Sequence, residues 1–304
     1  MVDSETESLP RRAVLLVNTK SRRGSEWFEE VRLRLSDGGM ELEAALAFRN
    51  PRELPRAAAR YVKSGTPLVI VGGGDGTFSA IAHIFARQEA ILGVLPLGTG
   101  NAFARDLGIP VSVEGACDAI LNGKRAKVDM GIVGNREFLN VATVGLSTRI
   151  ADGLDDRSKK ILGRGVYLAS ILKAVATVSP FHVRLELPDS VHEFESLQLV
   201  IGNGRFHAGP FPVAPDASIT GGWLSIYALA SPEKSALLKM AVHILAGGYL
   251  KQADVKVFRT QSGKLSTVGP KRVTVDGEVC MMTPIEFGIA PRVLNVAVPQ
   301  GFEG

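Results

Sequence analysis

The chain opens with short runs of consecutive apolar residues, each closed by a polar or glycine-rich turn. These runs alternate with stretches whose apolar residues recur at helical spacing. Ala13–Val17 (Ala-Val-Leu-Leu-Val) reads as a buried strand that ends at the polar turn Asn18–Gly24. A helix is predicted next, with Ser25 as its N-cap and Trp27, Phe28, Val31 and Leu35 on one face. Leu42–Phe48 reads as a second strand. Pro51–Lys63 is a clearer helix, with proline in its first turn, Leu54, Ala58, Tyr61 and Val62 on a shared face, and Gly65 closing it. Leu68–Val71 and Ile91–Leu95 are buried-strand runs, separated by a helix from about Thr77 to Ala86. Strands alternating with helices predict a parallel sheet with right-handed crossovers and helices on both faces. Ligands of such sheets bind beyond the carboxyl ends of the strands. Two glycine-rich loops, after Val71 and after Leu95, fall at that edge.

From about Asp129 the pattern changes. Strand-like runs recur at Lys127–Val133, Phe138–Val144, His182–Leu187, Leu197–Gly202, Trp223–Leu229, Lys271–Val275 and Val293–Val298, mostly joined by turns. This predicts a second, antiparallel β-sandwich-like domain. The expected division is 11–130 for the α/β domain and 131–290 for the β-rich one, with about 291–304 returning to the first. Two helical stretches interrupt the second part, Lys159–Val178 and Ser231–Leu245. The first has Leu162, Val166, Ala169 and Leu172 on one face, a pattern that fits a core-facing helix first and an interfacial element at a bilayer second.

The first glycine loop, Gly72-Gly73-Gly74-Asp75-Gly76-Thr77, carries chemistry. Glycines let the backbone approach a ligand at angles a Cβ would forbid. Their N–H groups, with the start of the next helix, suit phosphate oxygens. A carboxylate beside phosphates is repelled unless a cation lies between, so Asp75 is the expected holder of Mg²⁺. Thr77 offers a hydroxyl at the helix start. The loop lacks the Gly-Lys-Ser/Thr of a Walker A motif and the spacing of the dinucleotide fingerprint.

That loop, followed by Leu95-Pro96-Leu97-Gly98-Thr99-Gly100-Asn101, resembles the diacylglycerol kinase catalytic family. The resemblance continues through Asn140–Gly145, Asn203-Gly204, Ala214-Pro215 and Val275-Asp276-Gly277-Glu278, nearly the whole chain. It implies an ATP-dependent lipid kinase, with ATP in a cleft and a β-sandwich-like domain receiving the lipid. By position, Asn18, Thr19, Lys20 and Ser21 would touch the nucleotide, Gly73 to Thr77 would hold its phosphates, and Gly98, Thr99, Gly100 and Asn101 would add contacts. Glu278 would be the base that takes the proton of the attacking hydroxyl; from the residues alone, Asp276-Gly277 is simply a hairpin turn.

The chain departs from the family pattern in four places. Thr19 stands where Pro is usual, and Phe78-Ser79-Ala80 stands where an apolar residue followed by Asn-Glu is frequent. Asn101-Ala102 replaces Asn-Asp, closer to the sphingosine kinase form. Gly221 occupies the place of an Asp that anchors a structural Mg²⁺ in many bacterial members.

Composition adds limits. Lys and Arg exceed Asp and Glu by 35 − 31 = 4, with no dense basic stripe of the kind a nucleic-acid binder carries. Cys117 and Cys280 alone make no disulfide framework. No secretory signal or continuous apolar span is legible, so the expectation is a cytoplasmic enzyme that meets its lipid transiently at the membrane surface. The five histidines show no zinc spacing, and Trp27 and Trp223 read as core residues. A kinase of a soluble acceptor and a non-catalytic lipid or nucleotide binder are the alternatives. The acceptor lipid and the oligomeric state are not legible.

Overall fold

The structure is a computed structural model that describes residues 8–21, 23–145, 178–208, 211–212, 217–233, 235–237 and 254–304. The stretch Lys159–Val178 lies outside them except for its last residue, as do Ala214-Pro215 and most of Ser231–Leu245.

The first part runs β1 (Arg12–Asn18), α1 (Gly24–Asp37), β2 (Glu41–Phe48), α2 (Leu54–Lys63), β3 (Leu68–Gly73), α3 (Asp75–Phe85), β4 (Ile91–Pro96), α4 (Ala102–Asp106) and α5 (Val113–Leu121). Four strands lie in the order β2-β1-β3-β4, all parallel. The chain steps one way from β1 to β2 and then returns past β1 to β3 and β4. With right-handed crossovers, that reversal puts α1 on one face and α2 and α3 on the other. Accordingly α1 packs against α5, and α2 against α3. The reversal also opens a crevice beyond the carboxyl ends of β1 and β3.

These strands are apolar because both faces are covered. All six residues of β3 and of β4 are buried. Ser25 is not the N-cap of α1. Arg23 holds that position without a side-chain cap, because the chain enters through a turn in which Gly24 donates to the Ser21 carbonyl.

The second part contains β5 (Lys124–Val133), β6 (Arg136–Phe138), β7 (Val141–Gly145), β8 (Phe181–Leu187), β9 (Ser190–Ser196), β10 (Gln198–Gly202), β11 (Phe206–Ala208), β12 (Phe211–Pro212), β13 (Leu224–Leu229), β14 (Val255–Thr260), β15 (Ser262–Thr267), β16 (Arg272–Val275), β17 (Glu278–Met282) and β18 (Ile285–Val298). An antiparallel sheet, β14-β13-β10-β7-β16-β17, faces the antiparallel end of the large sheet. Phe181, Leu185, Ile226, Val273 and Phe287 belong to the apolar layer between them.

The two parts share a sheet. Among the described residues ten strands form it, continuing from β4 through β18 to β15, β8 and β9. β18 runs parallel to β4 at Val296 and antiparallel to β5 along most of its length. A bulge breaks that ladder between Ala290 and Leu294, where Arg292 adopts a left-handed backbone (φ 55°). Opposite the bulge, buried Asp129 accepts the Arg292 N–H at 2.7 Å and the Gly222 N–H at 2.7 Å. One carboxylate thus satisfies the Arg292 donor that the bulge frees and a donor of the segment before β13.

Both tryptophans are half-buried rather than core residues. Arg23 lies over Trp27 (4.7 Å to the ring centroid) and Arg259 over Trp223 (5.5 Å), so guanidinium planes cover the faces that the core leaves open.

Candidate active site

The turn after β1 is folded on itself. Asn18 Oδ1 accepts the Lys20 N–H (3.0 Å), and the Asn18 carbonyl accepts both the N–H and the hydroxyl of Ser21. Thr19 donates its N–H and its hydroxyl to the Phe48 carbonyl. Asn18 Nδ2 reaches across to Thr77 Oγ1 at 3.1 Å. Asn18 and Thr77 therefore fasten the first turn to the glycine loop.

Helix α3 starts in that loop, with Gly74 at its N-cap; the Thr77 and Phe78 N–H groups both turn onto the Gly74 carbonyl. The loop after β4 lies directly against it. A Cβ on Gly98 would sit 2.6 Å from Gly74 Cα, so two backbones touch where side chains cannot fit. Gly73 is fixed by a similar limit, since a Cβ there would meet the Thr77 side chain at 2.5 Å, whereas Gly76 faces open space.

Asn101 is fully buried and left-handed (φ 52°), a conformation its short amide tolerates. Its Oδ1 accepts the Gly98 N–H (2.9 Å) and its Nδ2 donates to the Gly98 carbonyl (3.1 Å). The side chain closes its own loop. Arg105 Nε supports the same loop at the Gly100 carbonyl (3.2 Å), and Thr99 stands exposed on it.

Asp75 links the two loops. Its Oδ1 accepts the Phe103 N–H at 3.3 Å, and the amides of Ala102 and Asn101 lie against the same carboxylate. It thus meets the positive end of α4. Burial raises its carboxyl above the ordinary range, and these amides act in the opposite direction.

Glu278 begins β17 and is exposed. It lines a cleft of about 580 Å³ together with Ser79 and His83 of α3, Asn135 and Arg136 of the β5–β6 turn, and Val275. Glu278 and the helix that follows the first glycine loop therefore share one cleft.

Residues 12–133 match a family model described as the diacylglycerol kinase catalytic domain. Residues 140–298 match one described as the YegS C-terminal NAD kinase beta sandwich-like domain. This chain belongs to the diacylglycerol kinase family of lipid kinases. A "Probable lipid kinase YegS-like" protein of Pseudomonas aeruginosa (strain UCBPP-PA14) is 30% identical over 290 residues, covering 95% of each chain. A diacylglycerol kinase of Staphylococcus epidermidis (strain ATCC 35984) is 30% identical over 300 residues, covering 95% of this chain and 93% of that one. The crystal structure of a diacylglycerol kinase from Bacillus anthracis str. Sterne superposes with a TM-score of 0.76 at 21% identity, covering 95% of this chain and 97% of that one.

In this lipid-kinase chain three further carboxylates are held by backbone amides. Asp129 is the one at the β18 bulge. Asp276 opens the Asp-Gly-Glu turn. Asp106, on α4, is buried and accepts the Arg205 N–H at 2.8 Å and the Phe206 N–H at 3.4 Å. A Cβ on Gly204 would lie 2.1 Å from Asp106 Oδ2, which explains the glycine of Asn203-Gly204. Sequence reasoning passed over Asp106, because its partners lie about a hundred positions away.

Burial lifts the Asp106 carboxyl to about 7, against the opposing pull of the Arg205 and Phe206 amides. The native state keeps this proton where the unfolded chain has lost it. Asp106 therefore contributes stability below roughly pH 4 that is lost as pH rises toward 7. Asp106→Asn is expected to flatten the fall of Tm between roughly pH 5 and 7. Thermal melts across that window check this, and an unchanged slope would exclude Asp106 as its source.

The structural-metal position does not fit an aspartate here. A Cβ on Gly221 would meet the Trp223 ring at 2.8 Å. Among the described residues, no group of three His, Cys, Asp or Glu is arranged to hold a metal. Asp75 differs, because Mg²⁺ bound with substrate phosphates needs only one or two protein carboxylates and keeps several waters. Among the described residues no helix is long and apolar enough to cross a membrane.

Proposed function

We propose that the protein transfers the γ-phosphate of ATP to a lipid hydroxyl, of the diacylglycerol or sphingoid type, at a membrane surface. The observation that carries this reading is the backbone contact of Gly74 with Gly98, bridged by Asp75 at the start of α3; Ser79 and His83 of that same helix line the cleft of Glu278. Residues 11–130, with the end of the chain, serve the nucleotide; residues 131–290 serve the acceptor.

Phosphoryl transfer asks a protein mainly for positioning and charge stabilisation. The N–H groups of the first turn of α3 that precede the bonds onto the Gly74 carbonyl suit phosphate oxygens. Gly73, Gly74, Gly76, Gly98 and Gly100 let the nucleotide approach the backbone, and Thr99 and Thr77 add hydroxyls at the rim. Asn18 and Asn101 shape the two loops, while Thr19, Lys20 and Ser21 border the nucleotide from the β1 side. Asp75 holds Mg²⁺, which when bound neutralises charge on the phosphates. Glu278 accepts the proton of the attacking hydroxyl.

The deciding experiment is incubation with γ-labelled ATP, Mg²⁺ and mixed micelles of diacylglycerol, a sphingoid base, ceramide or a polyprenol. Label is expected on at least one lipid and should depend on Mg²⁺. Label moving only to water-soluble acceptors would overturn the lipid assignment.

A further inference from the structure

Asp129 is fully buried in β5, and its polar groups reach three segments remote from it in sequence. Its N–H donates to the Ile219 carbonyl at 2.7 Å, and its own carbonyl accepts Asn203 Nδ2 at 3.0 Å. One carboxylate oxygen takes the Arg292 N–H and the other the Gly222 N–H, both at 2.7 Å. A buried carboxylate needs such partners, and N–H bonds to a carboxylate are among the stronger ones in proteins. The β18 bulge, the residue after β10 and the segment before β13 therefore meet on one residue of β5.

This seam includes Gly221, where the family pattern has its metal-anchoring aspartate. Mg²⁺ and Ca²⁺ take oxygen ligands, carboxylates and carbonyls above all. Here the oxygens of residues 218–222 are turned to protein donors. The Ser218 carbonyl accepts the Gly221 N–H at 3.2 Å, and the Ile219 carbonyl accepts that of Asp129. The Gly222 carbonyl accepts Gln261 Nε2 at 3.3 Å, and Ser218 Oγ accepts the Thr220 N–H at 3.2 Å. A side chain at 221 would press on the Trp223 ring, which lies under the Arg259 guanidinium.

The surrounding charge points the same way. Thr220 and Arg292 of the seam also line a recess of about 550 Å³, together with Lys124, Arg125 and Lys127. Glu303 is the one acid among the described residues that line it. Positive charge gathered on this side repels a further cation.

We propose that Asp129 closes this seam in place of a structural cation, so that the protein needs a divalent cation only with its nucleotide. The cation of Asp75 then belongs to the reaction, and the fold is completed by a carboxylate and backbone amides.

The test is thermal melting without nucleotide, in excess EDTA and in excess Mg²⁺. A structural cation at about 100 times its dissociation constant would raise Tm by about 4 °C or more. The wild-type Tm is expected to agree within about 1 °C between the two buffers. Asp129→Asn keeps the shape but turns an amide group toward one of the two N–H donors. It is expected to lower Tm by several °C, equally in both buffers. Loss of a cation ligand would instead show in Mg²⁺ and not in EDTA. Should that variant fail to fold, the wild-type melts decide.

A rise of Tm with Mg²⁺ that Asp75→Asn abolishes belongs to the phosphate loop and leaves the seam as proposed. A rise that survives in Asp75→Asn overturns the proposal, as does a divalent cation retained by that variant at one per chain. An unchanged Tm in Asp129→Asn overturns it too. None of these readouts involves phosphate transfer. Should the wild type phosphorylate no lipid, the functional reading fails by itself, and the melts still decide the seam.

Discussion

Replacing Glu278 by alanine is expected to lower kcat for lipid phosphorylation by at least ~10²-fold, the usual worth of a positioned general base. ATP affinity should stay within about two-fold, because the removed interaction forms only as the acceptor hydroxyl attacks. The location of Glu278 makes the variant a clean one. It is exposed at the start of β17, so truncation opens no cavity in the core. The turn that presents it is held by Asp276, not by Glu278 itself. Tm should therefore match that of the wild type, and the loss should be chemical. Measuring kcat, ATP binding and Tm on one preparation checks all three. Turnover close to wild type would remove Glu278 from the mechanism. A matching loss of ATP affinity would move it to the nucleotide side of the cleft.

The sheet that carries the nucleotide side was legible because burial on both faces leaves continuous apolar runs. Val14 to Val17, Leu68 to Val71 and Ile91 to Leu95 are apolar save Gly93 and buried throughout. β9 and β14, at other sheet edges than β2, carry no such run; their exposure is mixed and the sequence did not mark them as strands. Phe138–Val144 looked like one strand but is two, β6 and β7. The break at Leu139-Asn140 turns consecutive amides toward Asp276, whose position is fixed only by folding. β18 was legible only from Val293, because Pro291 and Arg292 interrupt its pattern at the bulge that Asp129 supports. Helix α4 has five residues, too few to show a period.

The site divides along the same line. The glycine loops are local in sequence, and their chemistry could be read from glycine, carboxylate and hydroxyl in close succession. Their mutual contact could not, because Gly74 and Gly98 belong to different strand–helix units. Asn101 was assigned to the nucleotide, yet its amide is engaged with Gly98; any contact it offers a ligand comes through the loop it shapes. Asp276 and the amides of residues 139–141 lie far apart in sequence, so that carboxylate showed only as part of a hairpin turn.

Asp75→Asn is expected to reduce turnover by at least ~10-fold and to raise the Mg²⁺ concentration for half-maximal rate several-fold. The substitution keeps an oxygen that can accept the Phe103 N–H and removes the charge. The link between α3 and α4 should persist while attraction for the cation is lost. Asp75→Ala removes both, so it should also lower stability by about 1 kcal/mol, as loss of a helix cap does. The pair of variants separates two duties that the structure places on one side chain. A Mg²⁺ titration of the initial rate, run beside thermal melts, reads them independently. If Asp75→Asn keeps the wild-type Mg²⁺ dependence, the carboxylate does not hold the metal. Its position at the start of α4 would then be its whole role: to keep the second glycine loop pressed against the first.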